Sequence, residues 1–298
     1  MDRRTAALWR AVRPLQWQKN LLLVAAAVFS VDEHWDASDA ADWYRVVGRM
    51  LVGVLAFCAA SSAVYLFNDV HDVDSDRAHP KKRDRPVASG ALSPGFARRA
   101  AMMLTLVSVA VGVVLGPAFV GLLLAYLGLS AAYTASLRAV VGVEAVAIAA
   151  GFGLRAAAGA AAIEVPASGW LIGLSTLGAL FVVWLKREQE IAELGEVAPI
   201  HRGVLRRYRP GFFAVAVPLT GWWIVGVFAA YAVRPGAPGD GALLLALVPT
   251  ALGLWRFAIL ARRAAARPVD ELVARDAPLF AAVAAFIVTS FVVLALGR

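Results

Sequence analysis

The 298-residue sequence contains very little cysteine and little charge. Its one cysteine, Cys58, lies in an apolar run, and a single thiol excludes both an internal disulfide and a metal site built from several thiolates. Charged residues make up 17% of the chain and hydrophobic residues 60%, whereas soluble domains carry about 25% charged residues. These departures exclude an ordinary soluble domain and indicate a membrane protein.

Regular alternation of apolar and polar residues, which transmembrane strands require, is also missing. The apolar residues instead form long runs, and about 20 such residues are needed for one helix to cross a bilayer. We therefore predict an all-α, polytopic helix bundle in which residues 1–298 form a single integral-membrane domain. Nine spans are predicted, near 17–31, 46–66, 99–115, 117–135, 140–162, 168–186, 211–232, 241–261 and 277–297. The first is the weakest, because its apolar core is short and the arginines before it also fit a signal peptide.

Positive charge is distributed unevenly between alternate loops. If the N-terminus is inside, the inner segments carry most of the 29 lysines and arginines. This bias predicts a cytoplasmic N-terminus in the plasma membrane, and it explains most of the net charge of +8. Since no soluble basic face remains, nucleic-acid binding is not favoured. The polar loops at 67–98 and 187–210 are predicted to place the active site on the cytoplasmic side.

Three aspartates follow the second apolar run at helical spacing. Asn68, Asp69, Asp72 and Asp76 fit the pattern N-D-x-x-D-x-x-x-D. If the span continues as a helix, the aspartates at i, i+3 and i+7 share one face. Carboxylates so arranged repel one another, and Mg²⁺ is a cation commonly shared between carboxylates and substrate phosphates. The pattern predicts that Asp69, Asp72 and Asp76 bind catalytic Mg²⁺.

Basic residues come directly after the aspartates, in a stretch where prolines prevent a continuous helix. The predicted ligands of the outer phosphate oxygens are Lys81, Lys82, Arg83 and Arg85. A metal and bases together would stabilise the charge on a departing diphosphate. The alternative is an ordinary juxtamembrane loop, which explains the bases but not the spacing of the aspartates. Asp74 and Asp84 fall off the acidic face and are predicted to face solvent.

The stretch from Asn68 to Asp76, continued by His79 to Gly90, resembles the first signature of the UbiA-type intramembrane prenyltransferase superfamily. Within that superfamily, the chain is most similar to the decaprenyl-phosphate phosphoribosyltransferases of actinobacterial cell-wall synthesis. The supporting stretches are Arg13–Asn20, Lys186–Glu190 and, more weakly, Asp270–Leu272 with Arg275–Asp276. The resemblance covers almost the whole chain and implies nine spans.

The resemblance implies Mg²⁺-dependent transfer of a 5-phosphoribosyl group from phosphoribosyl diphosphate to a polyprenyl phosphate such as decaprenyl phosphate. Many superfamily members carry a second motif, D-x-x-x-D, after the sixth span, whereas this chain has glutamates there. The departure argues against a two-metal prenyl diphosphate site. The alternative function is a prenyltransferase with a polyprenyl diphosphate donor and an aromatic or other lipid acceptor. A transporter is disfavoured because the charges concentrate on one side.

Further substrate-binding candidates lie outside the aspartate motif. The resemblance places a tyrosine and a basic residue near the diphosphate, matching Tyr133 and Arg138, although a lone tyrosine at a helix end is also a common interfacial anchor. An arginine deep in an apolar span, such as Arg155, marks a functional or paired site, and Arg155 is predicted to contact a substrate phosphate. Glu144 lies about 16 Å from it along a helix, too far for direct pairing. The remaining candidates are Lys19 and Asn68, then Lys186 and Arg187 for the ribose 5-phosphate of the donor, and Glu190. Topological anchoring or a solvated helix face is the alternative for the last three, and a homo-oligomer is left open.

Overall fold

The structure, a computed structural model, describes residues 2–31, 33–79, 82–194, 203–235, 237, 241–263 and 276–296. These residues form helices, with one isolated β-bridge between Val31 and Trp35. The α-helices are α1 Arg3–Ala11, α2 Leu22–Phe29, α3 Ala40–His71, α4 Val73–Ala78, α5 Pro94–Val113, α6 Pro117–Ala135, α7 Val143–Ala162, α8 Gly169–Leu194, α9 Phe212–Ala232, α10 Leu247–Arg263 and α11 Ala277–Leu296. Short 3-10 helices cover Pro14–Leu21, Leu137–Ala139, Gly203–Arg207 and Ala242–Ala246.

Seven helices of the described residues are long and apolar enough to cross a membrane. They are α3, α5, α6, α7, α8, α9 and the segment Ala242–Arg263, which contains α10. A shorter apolar helix covers Ala277–Val293, within α11. The prediction of an all-α, polytopic fold is confirmed in this form, whereas the predicted count of nine spans is not.

The first predicted span, 17–31, is built differently from the others. Residues Pro14–Leu21 form a 3-10 helix, and the eight residues of α2 that follow are only about 12 Å long. The hydrocarbon core of a bilayer is about 30 Å thick. Asn20, at the end of the 3-10 helix, is fully buried and donates a hydrogen bond to Ser61 Oγ in α3 at 3.3 Å. Polar contacts with α3 therefore hold this segment, which explains why its apolar core is short.

The chain packs as two compact units. The first unit comprises Met1–Leu137 and Gly151–Ile172, and the second comprises Arg138–Ala150 and Gly173–Arg298. In the first unit, α3 packs along α5 and α6, and the core contains Phe57, Phe119 and Leu123. In the second unit, α10 packs against α9 and α11, and a core cluster contains Trp184, Tyr208 and Phe213. The single integral-membrane domain stays a prediction.

Helix α3 continues beyond its apolar part and carries the first residues of the aspartate motif. The Asp39 side chain accepts a hydrogen bond from Ala41 N at 2.9 Å and so caps the start of the helix. At 32 residues, α3 is about 48 Å long and exceeds the thickness of a hydrocarbon core. Its apolar run ends near Phe67, so the residues from Asn68 onward occupy the polar end of the helix.

Close backbone contact between α7 and α2 depends on Gly159. A Cβ atom at this position would overlap the backbone of Leu23, which cannot yield as the end of a flexible side chain can. We expect Gly159→Ala to lower the free energy of unfolding by about 3 kcal/mol, seen as a lower thermal unfolding midpoint in detergent. Gly128→Ala in α6 is the control, because a Cβ there meets nothing within 4 Å. Equal midpoints for the two variants would contradict the close contact.

Candidate active site

The aspartate motif lies where α3 ends and α4 begins. Helix α3 ends at His71, and Asp72 has φ −95° and ψ 9°, between the two helices. Hydrogen bonds still run from Asp72 N to Asn68 O at 2.9 Å and from Asp76 N to Asp72 O at 2.8 Å. The four-residue repeat of a helix therefore passes through the break. Asp69 and Asp76 consequently come to the same face, as their spacing predicts.

Two arginines neutralise this pair of carboxylates. Arg85 Nη1 lies 2.7 Å from Asp76 Oδ2 and 3.4 Å from Asp69 Oδ1. Arg13 Nη2 donates a hydrogen bond to the same Asp69 Oδ1, and its guanidinium lies over the Tyr65 ring, 4.8 Å from the centroid. The side chain of Asp69 is 1% exposed and that of Asp76 is 3% exposed, against 29% for Arg13 and 28% for Arg85. The acids are thus interior, and the two cations separate them from solvent.

Arg13 is a site residue that sequence reasoning missed. The sequence places Arg13 at the start of the family-like stretch Arg13–Asn20 and indicates no role for it at the aspartates. Its contact with Asp69 joins positions 56 apart in the chain, and no local spacing rule covers such a distance. The available signal was an arginine directly before a proline, at the start of the stretch that resembles the superfamily.

The carboxylates fit a divalent cation in their chemistry. Asp69 Oδ2 is buried and has no hydrogen-bond partner, and leaving a buried acceptor without a partner is costly. Mg²⁺ prefers such oxygen ligands. Among the described residues, however, no three His, Cys, Asp or Glu side chains converge closely enough to hold a metal ion. Arg85 bridges Asp69 and Asp76, so a cation that used both carboxylates would have to open this bridge.

The other charged residues of the motif surround this pair. Asp72 and Lys82 are half-buried, whereas Asp74, Arg83 and Asp84 are exposed. Asp74 and Asp84 face solvent as predicted, and Asp74 forms an exposed ion pair with Arg77 at 3.2 Å. Lys81 lies outside the described residues, so its predicted role stays a prediction.

An apolar cavity of about 390 Å³ lies beside Asn68. Helices α3, α5 and α6 line it, with Asn68, His71 and Thr134 among its polar residues. Asn68 Oδ1 accepts a hydrogen bond from Thr134 Oγ1 at 2.6 Å, which ties the motif to the end of α6. The neighbouring Tyr133 is half-buried. A cavity with apolar walls and a few polar groups suits a ligand with an apolar chain.

The second unit contains a buried charge cluster. Arg187 Nε and Nη2 contact the Glu144 carboxylate at 2.9 and 3.0 Å, and Arg187 Nη1 contacts both oxygens of Glu190 at 2.9 Å. Tyr208 donates its hydroxyl proton to Glu144 Oε1 at 3.2 Å and accepts from Gly142 N at 3.1 Å. Burial raises the pKa of Tyr208 to about 12, so the hydroxyl keeps the proton that it donates.

Arg187 therefore forms an ion pair with Glu144. Direct pairing of Glu144 with Arg155 was disfavoured on distance, and the contacts agree with that argument. The Arg187 guanidinium is occupied by two carboxylates, which identifies a structural contact for a residue predicted to bind phosphate. Lys19, Arg138 and Lys186 are half-buried, and what they bind stays a prediction.

Arg155 is enclosed by neutral partners inside the first unit. Its Nε donates to Asn20 Oδ1 at 2.9 Å, its Nη1 to Gly151 O at 3.0 Å and its Nη2 to Tyr126 Oη at 3.0 Å. The guanidinium also lies over the rings of Tyr126 and Phe152, at 4.6 and 5.2 Å. At 6% exposure, Arg155 joins α7 to α6 and to the N-terminal 3-10 helix. Its predicted contact with a substrate phosphate stays a prediction.

A sequence profile of the UbiA prenyltransferase family matches residues 21–274. The chain belongs to this family. Membership together with the long apolar helices makes it a multi-pass membrane protein and a transferase of the UbiA family. The resemblance drawn from the aspartate motif is thereby confirmed.

Two curated relatives match most of the chain. The decaprenyl-phosphate phosphoribosyltransferase of Mycobacterium tuberculosis strain H37Rv is 28% identical over 292 residues, which cover 98% of this chain and 95% of that protein. The protein of the same name from Corynebacterium glutamicum is 32% identical over 205 residues, covering 68% and 60% of the two chains. A UbiA homolog from Archaeoglobus fulgidus bound to GPP and Mg²⁺ has a TM-score of 0.70 at 16% identity, covering 97% of this chain and 99% of that one. This last similarity shows the UbiA fold.

The weaker stretch of the family resemblance immediately precedes α11 in the sequence. Asp270–Leu272 and Arg275 lie outside the described residues. Asp276 caps α11 by accepting a hydrogen bond from Leu279 N at 2.9 Å, and Arg256 contacts its carboxylate at 3.1 and 2.8 Å. The hydrogen bond from Arg256 lowers the pKa of Asp276 below its ordinary value. The described part of this stretch thus anchors the start of a helix.

Proposed function

We propose that this UbiA-family protein transfers a 5-phosphoribosyl group from phosphoribosyl diphosphate to a polyprenyl phosphate, with Mg²⁺, and releases diphosphate. The observation that carries the proposal is the buried pair Asp69 and Asp76, with one carboxylate oxygen lacking a partner and two arginines on its solvent side. Such a set can bind both a divalent cation and phosphate oxygens. The names of the nearly full-length relatives support this choice of donor and acceptor.

The aspartate motif would bind the diphosphate of the donor. Asp69, Asp72 and Asp76, with Asn68, would hold Mg²⁺, which neutralises charge on a leaving diphosphate when it is bound. The bases proposed for the outer phosphate oxygens are Lys81, Lys82, Arg83 and Arg85. The acceptor phosphate is already an anionic nucleophile and needs no strong general base. The contribution of the protein is then positioning and charge stabilisation.

The acceptor combines an apolar chain with a phosphate head. The cavity beside Asn68 offers apolar walls next to the motif, and we propose it for the part of the isoprenoid chain nearest the phosphate. Tyr133 and Arg138 keep their predicted roles near the diphosphate. Lys186 and Arg187 are the candidates for the ribose 5-phosphate, with Lys186 favoured because carboxylates hold Arg187. Glu190 remains a proposed substrate-binding residue. Lys19 remains a proposed substrate-binding residue, and Arg155 remains a proposed contact with a substrate phosphate.

The orientation of the protein belongs to the same proposal. The bias in positive charge supports a cytoplasmic N-terminus in the plasma membrane. The polar end of α3 then lies on the cytoplasmic side, where a soluble, highly charged donor is accessible. Segments 17–31 and 277–297 would complete nine spans together with the seven long apolar helices.

Diphosphate release by the protein in detergent tests the donor. Phosphoribosyl diphosphate and a prenyl diphosphate would be offered separately, with Mg²⁺ and decaprenyl phosphate present. We expect release from phosphoribosyl diphosphate only when the lipid phosphate is added, and no release by Asp72→Ala. Release that persists without the lipid phosphate, or in the variant, would contradict the proposal.

The second candidate is a prenyltransferase that uses a polyprenyl diphosphate donor. It is favoured by the fold neighbours from Archaeoglobus fulgidus, which are described as bound to GPP or DMAPP with Mg²⁺. The same first motif would serve this donor. If only the prenyl diphosphate is consumed, once an aromatic or lipid acceptor is supplied, this second function replaces the first.

A further inference from the structure

Arg13 has a backbone conformation that residues other than glycine rarely adopt. Its φ of 53° and ψ of 64° lie in the left-handed region, and the next residue is Pro14. For a residue other than glycine this conformation costs about 1–2 kcal/mol, and such strain concentrates at functional sites. Contacts with other residues must therefore hold Arg13 in place.

Those contacts lie on both sides of Arg13. On one side, Val12 O accepts a hydrogen bond from Ser62 Oγ at 3.1 Å. On the other, Trp17 Nε1 donates to the same Ser62 Oγ at 3.0 Å, and buried Asn20 bonds Ser61 and Arg155. Polar groups of α3 thus fix the chain before and after the strained residue. As a result, the Arg13 guanidinium contacts Asp69 on the solvent side of the carboxylate pair.

The charges at this point balance without any ligand. Asp69 and Asp76 carry two negative charges, and Arg13 and Arg85 carry two positive ones. A divalent cation added to this set meets both guanidinium groups, so it competes with them for the carboxylates. A diphosphate brings negative oxygens for which guanidinium groups are well suited. Arg13, which is 29% exposed, can therefore change its partner without unfolding any helix.

We propose that Arg13 is a diphosphate-binding residue that serves as the counter-ion of Asp69 until metal and donor bind. The inference rests on the metal–diphosphate site of the proposed function, and it holds for either donor. Arg13 thereby opposes the binding of the metal alone and favours the binding of metal and diphosphate together. Free divalent cation would then occupy Asp69 poorly until the donor arrives.

Metal and diphosphate binding by Arg13→Gln test this exchange without turnover. Mn²⁺ would be titrated into the detergent-purified full chain and followed by the electron spin resonance of free Mn²⁺; inorganic diphosphate would then be titrated by calorimetry into the Mn²⁺-loaded protein. We expect Arg13→Gln to bind Mn²⁺ alone about fivefold more tightly. We expect its affinity for diphosphate to fall by about tenfold.

The controls separate this role from a structural one. Arg13→Lys keeps the charge and should restore the Mn²⁺ affinity of the unmodified protein. Arg10→Gln removes an exposed arginine from α1 and should leave both affinities unchanged. Unchanged or weaker Mn²⁺ binding by Arg13→Gln would overturn the inference about Arg13 and leave the proposed metal site standing. An unmodified protein that binds no Mn²⁺ even with diphosphate would overturn the proposed metal site as well.

Discussion

Asp69→Asn is expected to lower the rate of diphosphate release by about 10²–10³-fold. The substitution preserves the shape of the side chain and removes the negative charge at the one buried oxygen of the motif that lacks a partner. The site would lose the ligand that faces both arginines, Arg13 and Arg85. The measurement is the initial rate with saturating phosphoribosyl diphosphate, lipid phosphate and Mg²⁺.

A loss of folding must be distinguished from this loss of chemistry. Arg13 and Arg85 are each more than a quarter exposed, so water can solvate them once Asp69 is neutral, and we expect the elution profile in detergent to be unchanged. The matched control is Asp74→Asn, because Asp74 belongs to the same acidic stretch but its side chain is 91% exposed. We expect that variant to keep its rate within about twofold. Similar rates for Asp69→Asn and Asp74→Asn would show that Asp69 does not take part in the reaction.

Most helices could be predicted from the sequence because lipid imposes a local requirement. A side chain that faces hydrocarbon must be apolar whatever its neighbours are, so the apolar run at 117–135 coincides with α6. Segment 17–31 departs from this pattern because its polar residues, such as Asn20, are satisfied by α3. Hydropathy predicts which segments face lipid, and it does not predict a segment that polar contacts within the protein hold in place.

In the candidate site, too, local features could be predicted from the sequence, whereas tertiary contacts could not. The common face of Asp69 and Asp76 follows from helical spacing, which is local, and the structure preserves it through the break at Asp72. The contact of Arg13 with Asp69 requires a left-handed residue and a fixed N-terminal segment. The pairing of Arg187 with Glu144 joins residues 43 apart in the chain. Such contacts depend on tertiary packing, so one sequence offers a list of charged residues without their partners.

Arg187→Met is expected to lower the free energy of unfolding by about 3–5 kcal/mol. Glu144 is fully buried and its two carboxylate oxygens accept hydrogen bonds from Arg187 Nε and Nη2, so the substitution removes a cation that neutralises an interior carboxylate. Methionine keeps the apolar part of the side chain, which limits the loss of packing. Thermal unfolding in detergent should show a midpoint about 6 °C or more below that of the unmodified protein.

A double variant and a matched control identify the cause of this loss. Glu144→Gln combined with Arg187→Met also removes the buried negative charge, so the midpoint should recover by about half or more. Arg262→Met breaks another ion pair with a glutamate of α8, Glu188, but the Arg262 side chain is 44% exposed, and we expect a change of at most about 1 kcal/mol. If Arg187 instead acts only on the donor phosphate, Arg187→Met will unfold at the midpoint of the unmodified protein and raise the KM for the donor. An unchanged midpoint would therefore support a substrate-binding role for Arg187. A large drop that the double variant reverses would show that Arg187 stabilises the interior of the second unit.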